Sequence, residues 1–165
     1  GVRMASTSPL AISNEEARQR LLSVIRLARG MGFEGTIEYR HVYSRSGGAT
    51  YGEGSSVEQD LLTVYARAFE RDADPDDFSL RAIIAHERGH QLLARHPKIS
   101  KAVASVSPAS EEILASLLGA LICRVDSDFS TLVIKAAVEL VEYGVPAVSV
   151  ERQVHNLLER LEALL

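Results

Sequence analysis

Two histidines stand four residues apart in Ala82-Ile83-Ile84-Ala85-His86-Glu87-Arg88-Gly89-His90-Gln91-Leu92-Leu93-Ala94, and a glutamate follows the first. The pattern is H-E-x-x-H. On a helix, residues i and i+4 share one face, so two imidazoles can meet one ion. Zinc accepts imidazole nitrogen at about 2.0–2.1 Å. Glu87 lies about 100° round the helix from His86. It can border a metal without taking a histidine's place. There it can take a proton from a metal-activated water and pass it to a leaving group. The chemistry expected of His86, Glu87 and His90 is therefore metal-assisted hydrolysis. Zinc is the expected cofactor.

A catalytic zinc normally has three protein ligands and one open position. The run Ser110-Glu111-Glu112-Ile113-Leu114-Ala115-Ser116-Leu117-Leu118-Gly119 is the strongest source of the third. Glu112, Ala115, Ser116 and Gly119 fall at i, i+3, i+4 and i+7, a narrow face of small residues. That face can approach a helix that carries Gly89. A mid-helix glycine costs about 1 kcal/mol relative to alanine, and close passage of another element would justify it. Glu111 shares its face with Leu114, Ala115 and Leu118 instead, so Glu112 is the preferred ligand. The competing reading makes both glutamates ordinary first-turn residues that favour a helix N-terminus.

Together, His86-Glu87-Arg88-Gly89-His90 and Glu112-Ile113-Leu114-Ala115-Ser116-Leu117-Leu118-Gly119 resemble the gluzincin-type peptidase core of the ImmA/IrrE family. The resemblance covers about residues 79–122. It implies a zincin-like fold, with His86, His90 and Glu112 as zinc ligands and Glu87 as general base. It also implies a peptide or protein substrate, such as a regulatory repressor. Ala115 and Gly119 match the family's small positions. Ser116 stands where asparagine is common. The usual proline-ended continuation is absent, because Leu121-Ile122 runs into Cys123-Arg124.

These residues need elements to hold them. Ser13 with Glu16 reads as a capping box for a helix over 14–29, stopped at Gly30 and Gly32. Residues 35–43 are β-branched and aromatic enough for a strand. Gly47-Gly48 signals a hairpin, with a short return strand over 49–52. Ser56 with Gln59 suggests a second capping box, and Leu61, Leu62, Val64, Tyr65 and Phe69 a helix to about residue 71. The histidine helix is expected over 79–96, closed by Pro97. Ser107-Pro108 opens the glutamate helix, which should reach about residue 122. A turn over 126–130, a helix over 131–143 and a last helix after Ser149 complete the chain. The expected fold is α+β and helix-rich, with a small N-terminal hairpin or sheet. Residues 1–12 read as a flexible tail or a cloning remnant, and 13–165 as one domain.

The remaining polar residues have plainer readings. His96 lies six positions after His90, on another side of the helix, and suits the helix end. His41, Tyr43 and Tyr51 are oxyanion-donor candidates that sheet packing or exposure explains as well. His155 belongs to a charged helical face. Asp126 and Asp128 suit a turn better than a role behind a ligand histidine. Cys123 follows Ala120-Leu121-Ile122 and reads as a buried thiol. The acidic run 72–77 fails as a calcium loop, since Asp77 takes the glycine position and Ile83 the final glutamate's.

The formal charge of −4 and the lack of a long basic run argue against direct nucleic-acid binding. A single cysteine excludes an intrachain disulfide and a four-thiolate zinc site, and fits a reducing compartment. No apolar run suggests a membrane span, and residues 1–8 lack a signal's apolar core. A cytoplasmic zinc peptidase is the leading expectation. A non-peptidase metal-dependent hydrolase and a non-catalytic, zinc-containing interaction domain are the alternatives.

Overall fold

The computed structural model describes residues 8–70 and 78–165. Among these, six helices accompany a three-stranded sheet: α1 (Asn14–Gly30), β1 (Thr36–Arg40), β2 (Ala49–Gly52), β3 (Leu61–Tyr65), α2 (Leu80–Arg95), α3 (Pro97–Ala102), α4 (Pro108–Cys123), α5 (Asp126–Glu142) and α6 (Ala147–Leu164). The fold is α+β and helix-rich. No helix among the described residues is long and apolar enough to cross a membrane.

The sheet order is β1-β3-β2. β3 runs parallel to β1, with Ile37 opposite Leu62, and antiparallel to β2, with Thr50 opposite Thr63. Leu62 and Val64 join Val24, Ala28, Phe33 and Ile84 in one core, which links the sheet to α1 and α2. A second core gathers Leu92 and Leu93 of α2 with Leu114, Leu117, Leu118 and Ala136, and with Val154 of α6. Thus α2 is shared: one side meets the sheet and the other meets the helical bundle. α4 is buried from Ile113 to Leu121, as expected for a helix apolar on nearly every side. Leu117 and Leu118 are fully buried, each contributing about 1.5–3 kcal/mol.

The α2–α4 crossing is unusually close, and two glycines permit it. A Cβ on Gly89 would sit 3.0 Å from Ala115 Cα and would collide with the Ala115 carbonyl. A Cβ on Gly119 would sit 2.9 Å from the Ala85 carbonyl carbon. The close approach expected at Gly89 is therefore present, and Gly119 is its counterpart across the crossing. Ser79 caps α2 by accepting the Ala82 N–H at 3.0 Å. Its hydroxyl also donates to Asp128 Oδ1 at 2.6 Å, which ties α2 to the first turn of α5.

Several local expectations need correction. Residues 61–65 form β3 rather than a helix, and a short 3-10 turn, Ala66–Phe69, follows. β3 is the central strand and its middle residues are all buried, so its sequence lacks a strand's apolar–polar alternation. Ser56 precedes another 3-10 turn, Val57–Gln59, with no side-chain cap. The Gly47-Gly48 turn does not make a β1–β2 hairpin, because β3 lies between the two strands. The first strand spans 36–40 rather than 35–43. Residues 126–130 begin α5 rather than a turn, with Asp126 and Asp128 placed favourably in its first turn. Pro97 closes α2 and also starts α3, which His96 caps through Nδ1 at 3.3 Å from Ile99 N. The last helix begins at Ala147.

The acidic run 72–77 and residues 1–7 of the N-terminal tail lie outside the described residues. Leu10 of that tail is exposed, and its carbonyl lies 2.5 Å from His41 Nε2, just beyond β1.

Candidate metal centre

The two histidines project from the middle of α2, where apolar neighbours anchor the helix on both sides. Glu112 projects from the first turns of α4. His86 Nε2 lies 3.0 Å from Glu112 Oε2, and His90 Nε2 lies 3.0 Å from Glu112 Oε1. One ligand atom from each of the three residues lies within 4.8 Å of the others. The imidazoles meet edge-to-face with centroids 4.8 Å apart. Glu111 is exposed and lines a separate hollow of about 470 Å³ on the far side of His90.

The chemistry of the donors fits zinc. Burial lowers the His86 pKa, and burial followed by the charge of His86 lowers that of His90. Both rings are thus biased towards the neutral form that a metal needs. The hydrogen bond from His86 brings the Glu112 carboxyl down to about 2, with the charges of His90 and His86 adding to it against the effect of burial. His86 is held from behind. Its Nδ1 lies 3.0 Å from the buried Ser116 Oγ. Without a metal, Nε2–H donates to the Glu112 carboxylate; a metal on Nε2 would move the proton to Nδ1, which would then donate to that hydroxyl.

Glu87 is buried beside the triad. Burial, followed by the neighbouring Glu112 charge, pushes its carboxyl up to about 8. The Tyr51 backbone N–H acts in the opposite sense, as a hydrogen-bond donor to that carboxylate. Glu87 thus joins α2 to β2 at the mouth of the site. His86, Glu87, His90 and Glu112 all line a cavity of about 570 Å³ between β2 and α5. The triad is therefore open to solvent through this cavity.

The other sequence candidates scatter. His41 bonds Tyr39 and the Leu10 carbonyl, away from the cavity. The Tyr43 hydroxyl donates to both Glu70 carboxylate oxygens at 2.8 Å. Tyr51 lines the cavity, but its hydroxyl donates to Asp60 Oδ2 at 2.8 Å. His155 pairs with Glu159 at 3.1 Å on an exposed face. Cys123 is buried. Asp128 holds Ser79 rather than a ligand histidine.

Two groups escaped the sequence reading. Asp60, fully buried, accepts from Arg95 Nη2 at 2.7 Å, Gln91 Nε2 at 3.0 Å, Gly54 N at 2.8 Å and Tyr51 Oη. Glu87, Gln91 and Arg95 recur every four residues, so a polar stripe on the histidine helix was the available signal. Lys135 lines the cavity from α5, with its ammonium 5.1 Å from the Phe78 ring centroid. Nothing in the sequence links it to the motif 45 positions earlier.

Comparison with known proteins finds no matching family model, curated protein or solved structure.

Proposed function

We propose that this protein is a zinc-dependent peptidase. The observation that supports it best is the convergence of His86, His90 and Glu112 in an open cavity, with a buried carboxylate, Glu87, next to them. His86 and His90 would hold the ion through Nε2, and Glu112 through its carboxylate. Zinc bound there supplies a Lewis acid for the scissile carbonyl and lowers the pKa of a water. Glu87 takes the proton of the attacking water and returns it to the departing amine.

The neighbouring strand offers a place for an extended chain. The Gly48 carbonyl accepts from the Tyr65 N–H, and Thr50 faces Thr63. By antiparallel alternation, Ala49 and Tyr51 turn their backbone groups to the other edge. No further strand covers that edge among the described residues. Glu87 already takes the Tyr51 N–H, and an extended peptide can add through main-chain hydrogen bonds to the other backbone groups of that edge. The resemblance to ImmA/IrrE-type peptidases agrees with a protein substrate, and the lone Cys123 agrees with a reducing cytoplasm.

The test is cleavage of a broad protein-substrate library by the zinc-loaded protein. The expected result is cleavage that a chelator stops and that Glu87→Gln abolishes with zinc still bound. Undiminished cleavage by Glu87→Gln contradicts the proposal.

A further inference from the structure

Lys135 is the feature of the cavity that the proposed chemistry leaves without a task. It lines the same space as His86, Glu87, His90 and Glu112 but comes from α5, opposite β2. Phe78 and Leu132 line the cavity beside it. Among the described residues, no carboxylate lies within ion-pair distance of its ammonium. Glu139, one turn further along α5, falls outside that range too. The contact that remains is the face of Phe78, a modest attraction for a partly exposed cation.

Glu87, Glu112 and Glu139 all feel its charge, which acts to lower the pKa of each carboxyl, yet none is close enough to pair with it. A dication at the His86–His90–Glu112 triad would neutralise Glu112 and repel an ammonium that shares its cavity, leaving Glu87 and Glu139 to offset that repulsion only in part. An anion lying between them reverses the sign. The apolar walls from Phe78 and Leu132 reduce screening and strengthen such a contact.

Resting on the peptidase reading, we infer that Lys135 forms a carboxylate subsite: it binds an acidic group of the substrate next to the scissile bond, on the α5 side of the cleft. A peptide paired along β2 would send alternate side chains towards α5. A glutamate or aspartate side chain there, or a chain-terminal carboxylate, offers the same chemistry to the ammonium.

The test measures binding by calorimetry, separately from turnover. The probes are short peptide hydroxamates carrying Glu, Gln or Lys next to the zinc-binding group, with the other end blocked. A matched set carries Gln and a free terminal carboxylate. The proteins are the zinc-loaded wild type, Lys135→Met and Lys135→Glu, each with its zinc content checked. Met keeps the aliphatic stem over Phe78. The wild type should prefer a carboxylate-bearing probe about tenfold over its neutral match, the scale of one charge-assisted contact. Lys135→Met should erase that preference, and Lys135→Glu should favour the Lys probe. A gain confined to Glu identifies an acidic side chain, and one confined to the free terminus a terminal carboxylate; either supports the subsite. An equal preference in Lys135→Met, a uniform loss across all probes, or no binding of any probe overturns it. Cleavage of the matching peptides separates the two readings. A Lys135-dependent preference without any cleavage sinks the peptidase and keeps the subsite. Cleavage without a preference does the reverse.

Discussion

Ser116 shows how much the site depends on groups that never touch the ion. Its buried hydroxyl meets His86 Nδ1 and sets which nitrogen faces Glu112. Removing it leaves a buried ring N–H without its partner and frees the ring to turn. Ser116→Ala should therefore weaken zinc binding by about tenfold or more, as outer partners of ligand histidines usually do. Competition with a chromophoric chelator measures this; unchanged affinity would assign Ser116 to packing alone. The sequence made Ser116 visible as a small residue on the Glu112 face, but not as a hydrogen-bond partner. Spacing reports which residues share a face, whereas the mating of two faces requires the crossing geometry. Lys135 was illegible for the same reason, since α5 joins the site only through the packing of the bundle.

At the scale of elements, the α2–α4 crossing decides whether the ligands meet. Gly89 and Gly119 let the backbones approach until Glu112 reaches both histidines. Alanine would favour an isolated helix by about 1 kcal/mol. At Gly89 it should instead destabilise the protein by about 2 kcal/mol, because its methyl group overpacks against the backbone of Ala115. Urea denaturation of Gly89→Ala checks the sign; a gain in stability would show that the crossing is loose. These helices were legible because capping residues, prolines and periodic apolar residues all agree along them. β3 was not. Its Leu62 and Val64 pack under α1 and α2, while Thr63 on the opposite face is buried where it donates to Glu38, so no alternation distinguishes strand from helix. The misassigned hairpin follows from the same strand, which separates β1 from β2.

At the scale of the molecule, Asp60 joins the sheet half to the metal helix. Burial alone would raise its pKa, but Arg95, Gln91, Gly54 and Tyr51 together hold it well below the ordinary 3.8. A carboxylate depressed in this way adds stability that is complete above its unfolded value and fades as pH falls through the folded one. Asp60→Asn should cost about 3 kcal/mol at pH 7, since it leaves Arg95 facing a neutral group. The gap between variant and wild type should begin to narrow only below about pH 4 and should vanish only once the pH is below the folded value. Chemical denaturation at pH 7, 4 and 3 measures both effects; a gap that does not change with pH would show that the carboxylate's charge is not what joins the halves.

The meeting of α2 and α4 at one ion is tested most directly by zinc stoichiometry. Elemental analysis of protein purified without added metal should find about one zinc per chain. Glu112→Ala should lose most of it, whereas Glu111→Ala, altered one residue away and outside the triad, should keep it. Zinc retained in full by Glu112→Ala, or absent from the wild type even after zinc is supplied, would contradict the centre.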